Sequence, residues 1–219
     1  MLDLVIATLR YFLAEALIDA LNPHYDPARD LDVLGAMAAE LRDYLVREPL
    51  YWRMRAPGNY PMLTLGGYLL RLHRVSALGA QLASAQRDAL AAAQAEYQAA
   101  TGEWAVHAGR KVVAEVKARA QLLSQYAGEL QAGSAARGHW AHEAETRTML
   151  HHLLGAARSF APAERNALAE RVTAVDGALQ RHLERTRFIG DPLLEPAYPP
   201  DEYWWLYRRP RGTGGDEGE

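Results

Sequence analysis

Residues 85–131 place the strongest constraint on the fold. Leu90, Ala93, Tyr97, Ala100 and Trp104 recur in steps of three and four, and Val113, Val116, Ala120, Leu123, Ala127 and Leu130 do so again further on. That spacing lines up one apolar stripe on an α-helix. At 1.5 Å per residue the segment would reach roughly 70 Å. A compact globule of this length would have a radius of gyration of only roughly 17 Å. An elongated molecule is therefore expected unless the helix breaks. The two stripes are out of phase across residues 105–112, which predicts a stutter or a kink, with Gly102 as the expected break.

Composition extends the helical reading to the whole chain. Alanine is abundant, and β-branched residues are sparse after Ile18, so strands have little to be built from. The basic residues are nearly all arginine, Lys111 and Lys117 being the only lysines. The expected class is all-α: an elongated antiparallel helical hairpin or bundle, with an N-terminal helical hairpin and an extended aromatic, proline-rich C-terminal tail. Residues 1–187 read as one helical domain, residues 188–210 as the tail and residues 211–219 as a disordered end.

The elements follow from punctuation. Residues 2–21 form a helix that is apolar nearly all round and stops at Asn22-Pro23. Asp30 caps a second helix that ends before Pro49, so residues 2–48 make a short antiparallel hairpin. Residues 49–61 hold three prolines and Gly58-Asn59, which exclude a helix. Tyr51, Trp52 and Tyr60 pin that loop to the core. A third helix starts near Met62 and stops at Leu78-Gly79, with Gly79 as its left-handed cap. A weak internal similarity supports this stop: residues 78–90 resemble residues 154–168, where Pro162 marks a helix start capped by Ser159 or Ala161, and by analogy Ser84 caps a helix start in the first copy. The rival reading is one helix over 62–131. Residues 139–154 and 162–187 together match 85–131 in length, so the two arms should pack antiparallel.

Several chemistries are excluded. The chain has no cysteine, so disulfides, thiolate metal sites, iron–sulfur clusters and cysteine nucleophiles are out. The net charge of -3 does not suit a general nucleic-acid binder. No charge-free stretch is long enough for an ordinary transmembrane helix, and no secretory leader is evident, which points to the cytoplasm. No Gly-rich phosphate loop and no Gly-x-Ser-x-Gly elbow is present.

The sharpest polar cluster is residues 139–152. His139 and Glu143, and His142 and Glu145, have spacings that put each pair on one helix face, but Glu-x-x-His and His-Glu-x-x-His are absent. A metal site there would need His73 or His107 from other helices. A solvated face of paired charges is the plainer reading. Arg53, Arg55, Arg71 and Arg74 near Tyr51 and Trp52 make a basic–aromatic patch best explained by packing.

No catalytic, metal or cofactor site is therefore expected. The strongest interaction element is the tail, with Tyr203, Trp204, Trp205, Tyr207, Arg208 and Arg209 as candidate partner-binding residues. Adjacent Trp204 and Trp205 should point to opposite sides, one into the core and one outward. The tail should also dock on its own chain, beside the 49–61 loop. The expected function is a non-enzymatic helical scaffold or interaction protein, bound to a protein partner or to a second copy as a homodimer. The alternative is a helical enzyme or a ligand- or metal-binding bundle with its site near the 139–152 histidines. The case for a second copy is that two helices cannot hide Val112, Val113, Val116, Leu123, Met149, Leu150 and Leu153 from water.

Overall fold

The computed structural model describes residues 24–134 and 137–212. The expected helix over residues 2–21, the N-terminal hairpin built on it and the end beyond residue 212 lie outside the described residues. The fold is all-α, with one small two-stranded ribbon.

Helix α1 spans Pro27–Val46. Asp26 caps it, accepting from Ala28 N at 2.9 Å, and Pro27 takes the first helical position. Asp30, the expected cap, is buried inside the first turn instead. Leu34, Met37, Leu41, Tyr44 and Leu45 form the buried stripe. Residues 49–61 are a loop, as their prolines require, and Trp52 forms a single β-bridge with Leu63.

Helix α2 spans Leu65–Ala77 and is capped by Thr64. It ends at Leu78, and Gly79 opens a 3-10 turn without a positive φ, so the left-handed cap expected there is not formed. Helix α3 then runs Ser84–Glu103 and helix α4 Ala105–Ala132; the cap of α3 is Ala83, whose N–H donates to the Gln86 side chain, and the expected cap Ser84 is the first helical residue. The unbroken 62–131 helix is thus excluded at residues 78–83. The break inside the long segment falls at Trp104 rather than Gly102. It is one residue wide: Trp104 N still bonds Ala100 O at 2.9 Å, and Ala108 N bonds Trp104 O at 2.8 Å. Gly133, with φ +71, closes α4.

Helix α5 spans Trp140–Ala156, and helix α6 spans Pro162–Gln180. Both joints flagged by the internal similarity share one plan: a helix end, a 3-10 turn at 79–81 or 157–159, and a new helix. Helices α4 and α5 form the antiparallel hairpin, with Tyr126 stacked on Trp140 at 6.1 Å where they meet. The return arm does not continue straight. Phe160 turns it back against Gly109, so α6 lies alongside α4 and makes a three-helix layer. Helix α6 also ends seven residues short of the expected Arg187, because residues 183–185 leave the helix as strand β1. Strand β2, Arg208–Pro210, pairs antiparallel with β1, Leu183 lying opposite Pro210.

Helix α4 is the hub, packed by α5 and α6 on one side and by α1, α2 and α3 on the other. Val112, Val116, Leu123, Met149, Leu150 and Leu153 are all buried within the one chain. Within the one chain α2 and α6 supply cover that a two-helix picture lacks; Val113, the seventh residue of that set, is only half-buried. Among the described residues no helix is long and apolar enough to cross a membrane.

Candidate functional site

The tail is the first surprise. It is not extended throughout but contains two 3-10 turns, Pro192–Ala197 and Trp204–Tyr207. Five prolines confine its backbone, and Asp191 starts the first turn by accepting from Leu193 N at 2.8 Å. Asp191 also accepts from Tyr25 N at 2.8 Å, which ties the tail to the approach to α1. Tyr203 and Trp205 are buried on the chain's own helices. Trp205 donates through Nε1 to Thr148 at 2.9 Å, and the Arg147 guanidinium lies 3.9 Å from its ring centre. Asp176 holds that guanidinium through two bonds, at 2.6 and 2.8 Å.

Trp204 is half-buried and Trp205 buried, but in the 3-10 turn their rings meet edge-on at 5.8 Å instead of pointing to opposite sides as an extended chain would require. Tyr207 donates to Tyr198 O, and Arg209 pairs with Glu184. The carbonyl of Arg208 accepts from Trp140 Nε1 at 2.6 Å. Of the six candidate partner-binding residues, most are thus engaged with their own chain. The tail rings meet His73, His151 and His152 rather than Tyr51, Trp52 or Tyr60. The loop instead follows α1: Trp52 donates to Glu40 at 2.7 Å, and Arg29 lies over the Tyr60 ring.

Beneath the tail the structure gathers three imidazoles. His73 comes from α2, and His151 and His152 from near the end of α5. The His73 and His152 rings are 4.7 Å apart, and those of His151 and His152 5.6 Å. Tyr198 and Tyr203 close over them at 5.0 and 5.7 Å from His73. His73 Nε2 donates to Ala197 O at 3.0 Å, and His151 Nε2 lies 3.0 Å from Glu202. His152 Nε2 is buried and has no hydrogen-bond partner among the described residues. Burial, then the two neighbouring rings and Arg74, push the His152 pKa down to about 3. Burial also lowers His73, and burial followed by Arg147 lowers His151. The three rings are therefore neutral at pH 7.

Next to them lies a chain of ion pairs. Arg74 bonds Glu145, and Arg71 reaches Asp30 at 3.3 Å, which in turn accepts from Tyr25 OH at 3.0 Å. Burial works against the Glu145 charge, but Arg74 and Arg71 outweigh it and hold its pKa low. Two of the four arginines of the basic patch are thus spent inside the fold. Arg55 pairs with Glu40 and Asp43 at the surface, and Arg53 is exposed.

The metal grouping raised as the alternative for residues 139–152 does not assemble. Glu145 turns to Arg74, and His139 is exposed before α5. Glu143 sits where burial, then Glu129, raises its pKa to about 7. Among the described residues no three His, Asp or Glu side chains converge on a common point fit for a metal ion. His107 packs edge-on against Trp104 at 5.5 Å.

A second buried polar stripe lies on α4. Lys111, Glu115 and Arg119 follow one another at i,i+4 spacing, and all three are buried. Glu115 accepts from Arg119 Nε at 2.8 Å and from Gly66 N at 3.1 Å, capping the start of α2. Lys111 bonds the carbonyls of Glu48 and Pro49 and lies 4.4 Å from the Tyr44 ring centre. Each charge is closed by structural partners.

An open groove of about 540 Å³ runs between the first half of α4 and the start of α6. Val106, Gly109, Val113 and Phe160 form its apolar floor. Arg110 and Lys117 line it with basic charge, and Glu164 comes from α6. Val106 is 66% exposed. Comparison with known proteins finds no matching family model, no similar curated protein and no similar solved structure.

Proposed function

We propose that this chain is a cytoplasmic, non-enzymatic helical interaction protein, and that its partner surface is the groove between α4 and α6. The observation that carries the reading is Val106, a large apolar side chain left open in a concave apolar floor with basic residues beside it. The occupant this chemistry suits is an amphipathic helix of another protein, with an apolar anchor for Val106 and Phe160 and acidic residues facing Arg110 and Lys117.

A photo-crosslinking residue at position 106 tests it. In extract of the native host it should capture a protein that the same group at exposed Asp88 does not. The captured protein, once purified, should bind Val106→Asp at least tenfold more weakly than the unaltered chain. Equal affinity for the two, or capture of a second copy of this chain, overturns the reading.

The His73, His151 and His152 cluster favours the second reading, a ligand site near the end of α5. It rests on the unpartnered Nε2 of His152. A small molecule retained on the purified chain, and lost in His152→Gln, would support it.

A further inference from the structure

Three neutral imidazoles from two helices sit under a segment whose own rings form their lid. Tyr198 and Tyr203, both buried, cover His73, His151 and His152 from the tail side. The charged groups facing the cluster can be taken element by element. Helix α2 contributes Arg74, and α5 contributes Arg147. The tail contributes one acid, Glu202, against His151. Glu145 and Asp30 lie behind, already engaged with Arg74 and Arg71, and Asp176 is engaged with Arg147. One half-exposed carboxylate therefore faces three rings and two guanidinium groups. A proton on His151 finds Glu202 waiting. A proton on His73 gains from the Ala197 carbonyl and from Glu202, but burial outweighs both and Arg74 opposes it; a proton on His152 finds other rings within 6 Å and Arg74 behind them, and His152 Nε2 has no acceptor.

We propose that this histidine cluster is a pH-sensitive latch that holds residues 188–207 against α2 and α5 and lets them go on acidification. Releasing the tail uncovers the imidazoles, which then take up protons freely in water. The docked state keeps them neutral because burial and the neighbouring cations disfavour charge there. The released state thus binds more protons, and docking is favoured at high pH. The sign is that of bases depressed in the docked form. Docking is complete above the ordinary histidine value of 6.5 and weakens as pH falls below it. Each proton taken up on release multiplies the released-to-docked ratio by up to tenfold per pH unit. Release exposes Tyr203, Trp204 and Trp205 together, the residues of the chain best suited to hold a partner.

Hydrogen exchange followed by mass spectrometry on the full chain tests this, at pH 7.5 and pH 5.0, with exchange times scaled for the intrinsic rate. Protection of residues 188–207 should fall at least tenfold more than that of helix α4. In the double variant His73→Gln/His152→Gln the extra loss should shrink to less than threefold. Where that variant lacks the helical circular-dichroism signal at pH 7.5, His152→Gln alone should show a smaller extra loss than the unaltered chain. Tail protection that is independent of pH overturns the latch. So does an equal loss in the histidine variants, or a loss shared by α4, which would be acid unfolding of the whole chain.

Discussion

Replacing Gly66 with alanine puts the buried carboxylate at the centre of the molecule to a test of sign. In most helices that change stabilises by up to about 1 kcal/mol, because alanine restricts the unfolded chain and favours the helix. At position 66 the new Cβ would lie 2.5 Å from Glu115 Oε1 and 3.1 Å from Met149 Cβ. Glu115 is fully buried and cannot swing into water. Moving it weakens its bond to Arg119, at 2.8 Å, and its contact with Gly66 N. A buried charge-assisted bond contributes about 1.5–3 kcal/mol. Against the helix gain, Gly66→Ala should cost about 1–3 kcal/mol net. For a domain of this size that is a fall in Tm of about 2–12 °C. Urea denaturation should show the same loss with an unchanged m value. Glu115→Ala alone strands Arg119 and should cost about 3–5 kcal/mol. In the Glu115→Ala background the clash is gone, so adding Gly66→Ala should be neutral or mildly stabilising. Coupling of that kind is the mark of direct contact. A Gly66→Ala chain that melts at or above the unaltered temperature, or costs that simply add in the double variant, would refute the reasoning.

Trp205→Ala removes a fully buried ring, its cover over Arg147 and its Nε1 bond to Thr148, so it should cost about 3–5 kcal/mol by thermal melting. Trp205→Phe keeps most of the packing and should cost about 1 kcal/mol for the lost Nε1 bond. Val106→Asp, at an exposed position, should change stability by no more than about 0.5 kcal/mol, which separates a binding defect from a folding defect. Glu143→Gln should gain stability relative to the unaltered chain as pH rises. The raised Glu143 pKa means that its contribution is complete below the unfolded value of 4.5 and is lost as pH passes about 7. The difference in Tm between the two, followed from pH 4.5 to pH 8, checks the direction.

The helical class and most element boundaries were legible because they depend on local spacing and punctuation. Pro162 and the residues before Ser84 mark joints wherever the chain later packs. The route of the last helix was not legible, since equal arm lengths fit both a long hairpin and an arm folded back at Phe160. Only the packing of Phe160 on Gly109 decides between them. Tail self-docking could be argued from the cost of exposed rings, but not its destination. That depended on α6 running beside α4, which sends the tail over α2 and α5 instead of the 49–61 loop. The neighbouring His151 and His152 were visible as part of a polar run. His73 and His107 were both open as partners from other helices, and only the packing of α2 on α5 brings His73 to them while His107 goes to Trp104. The i,i+4 spacing of Lys111, Glu115 and Arg119 alone does not separate a buried series from a solvated one. They are buried because α4 is packed on both sides, a fact of tertiary arrangement alone.

Acidification acts on both ends of α5, with a divided effect at the first and a single sign at the second. Glu143 lies in its first turn, opposite Glu129. There the folded state binds a proton on Glu143 more readily than the unfolded chain, but burial lowers His142 in the same turn, and its contribution is lost as pH falls below 6.5, so between pH 7 and 4.5 the two groups at this end oppose each other. His151 and His152 lie near its last turn, under the tail. Over the same interval their protons are taken up on opening, which weakens the tail contact. The ion pairs between these ends do not offset either effect, because Arg74 and Arg71 keep Glu145 charged through that range. Acid thus acts in opposing senses on Glu143 and His142 at the helical junction, while at the tail His73, His151 and His152 all act in the one sense of release. Local release can then precede global unfolding, the condition a latch must meet if the tail is to open on a folded protein.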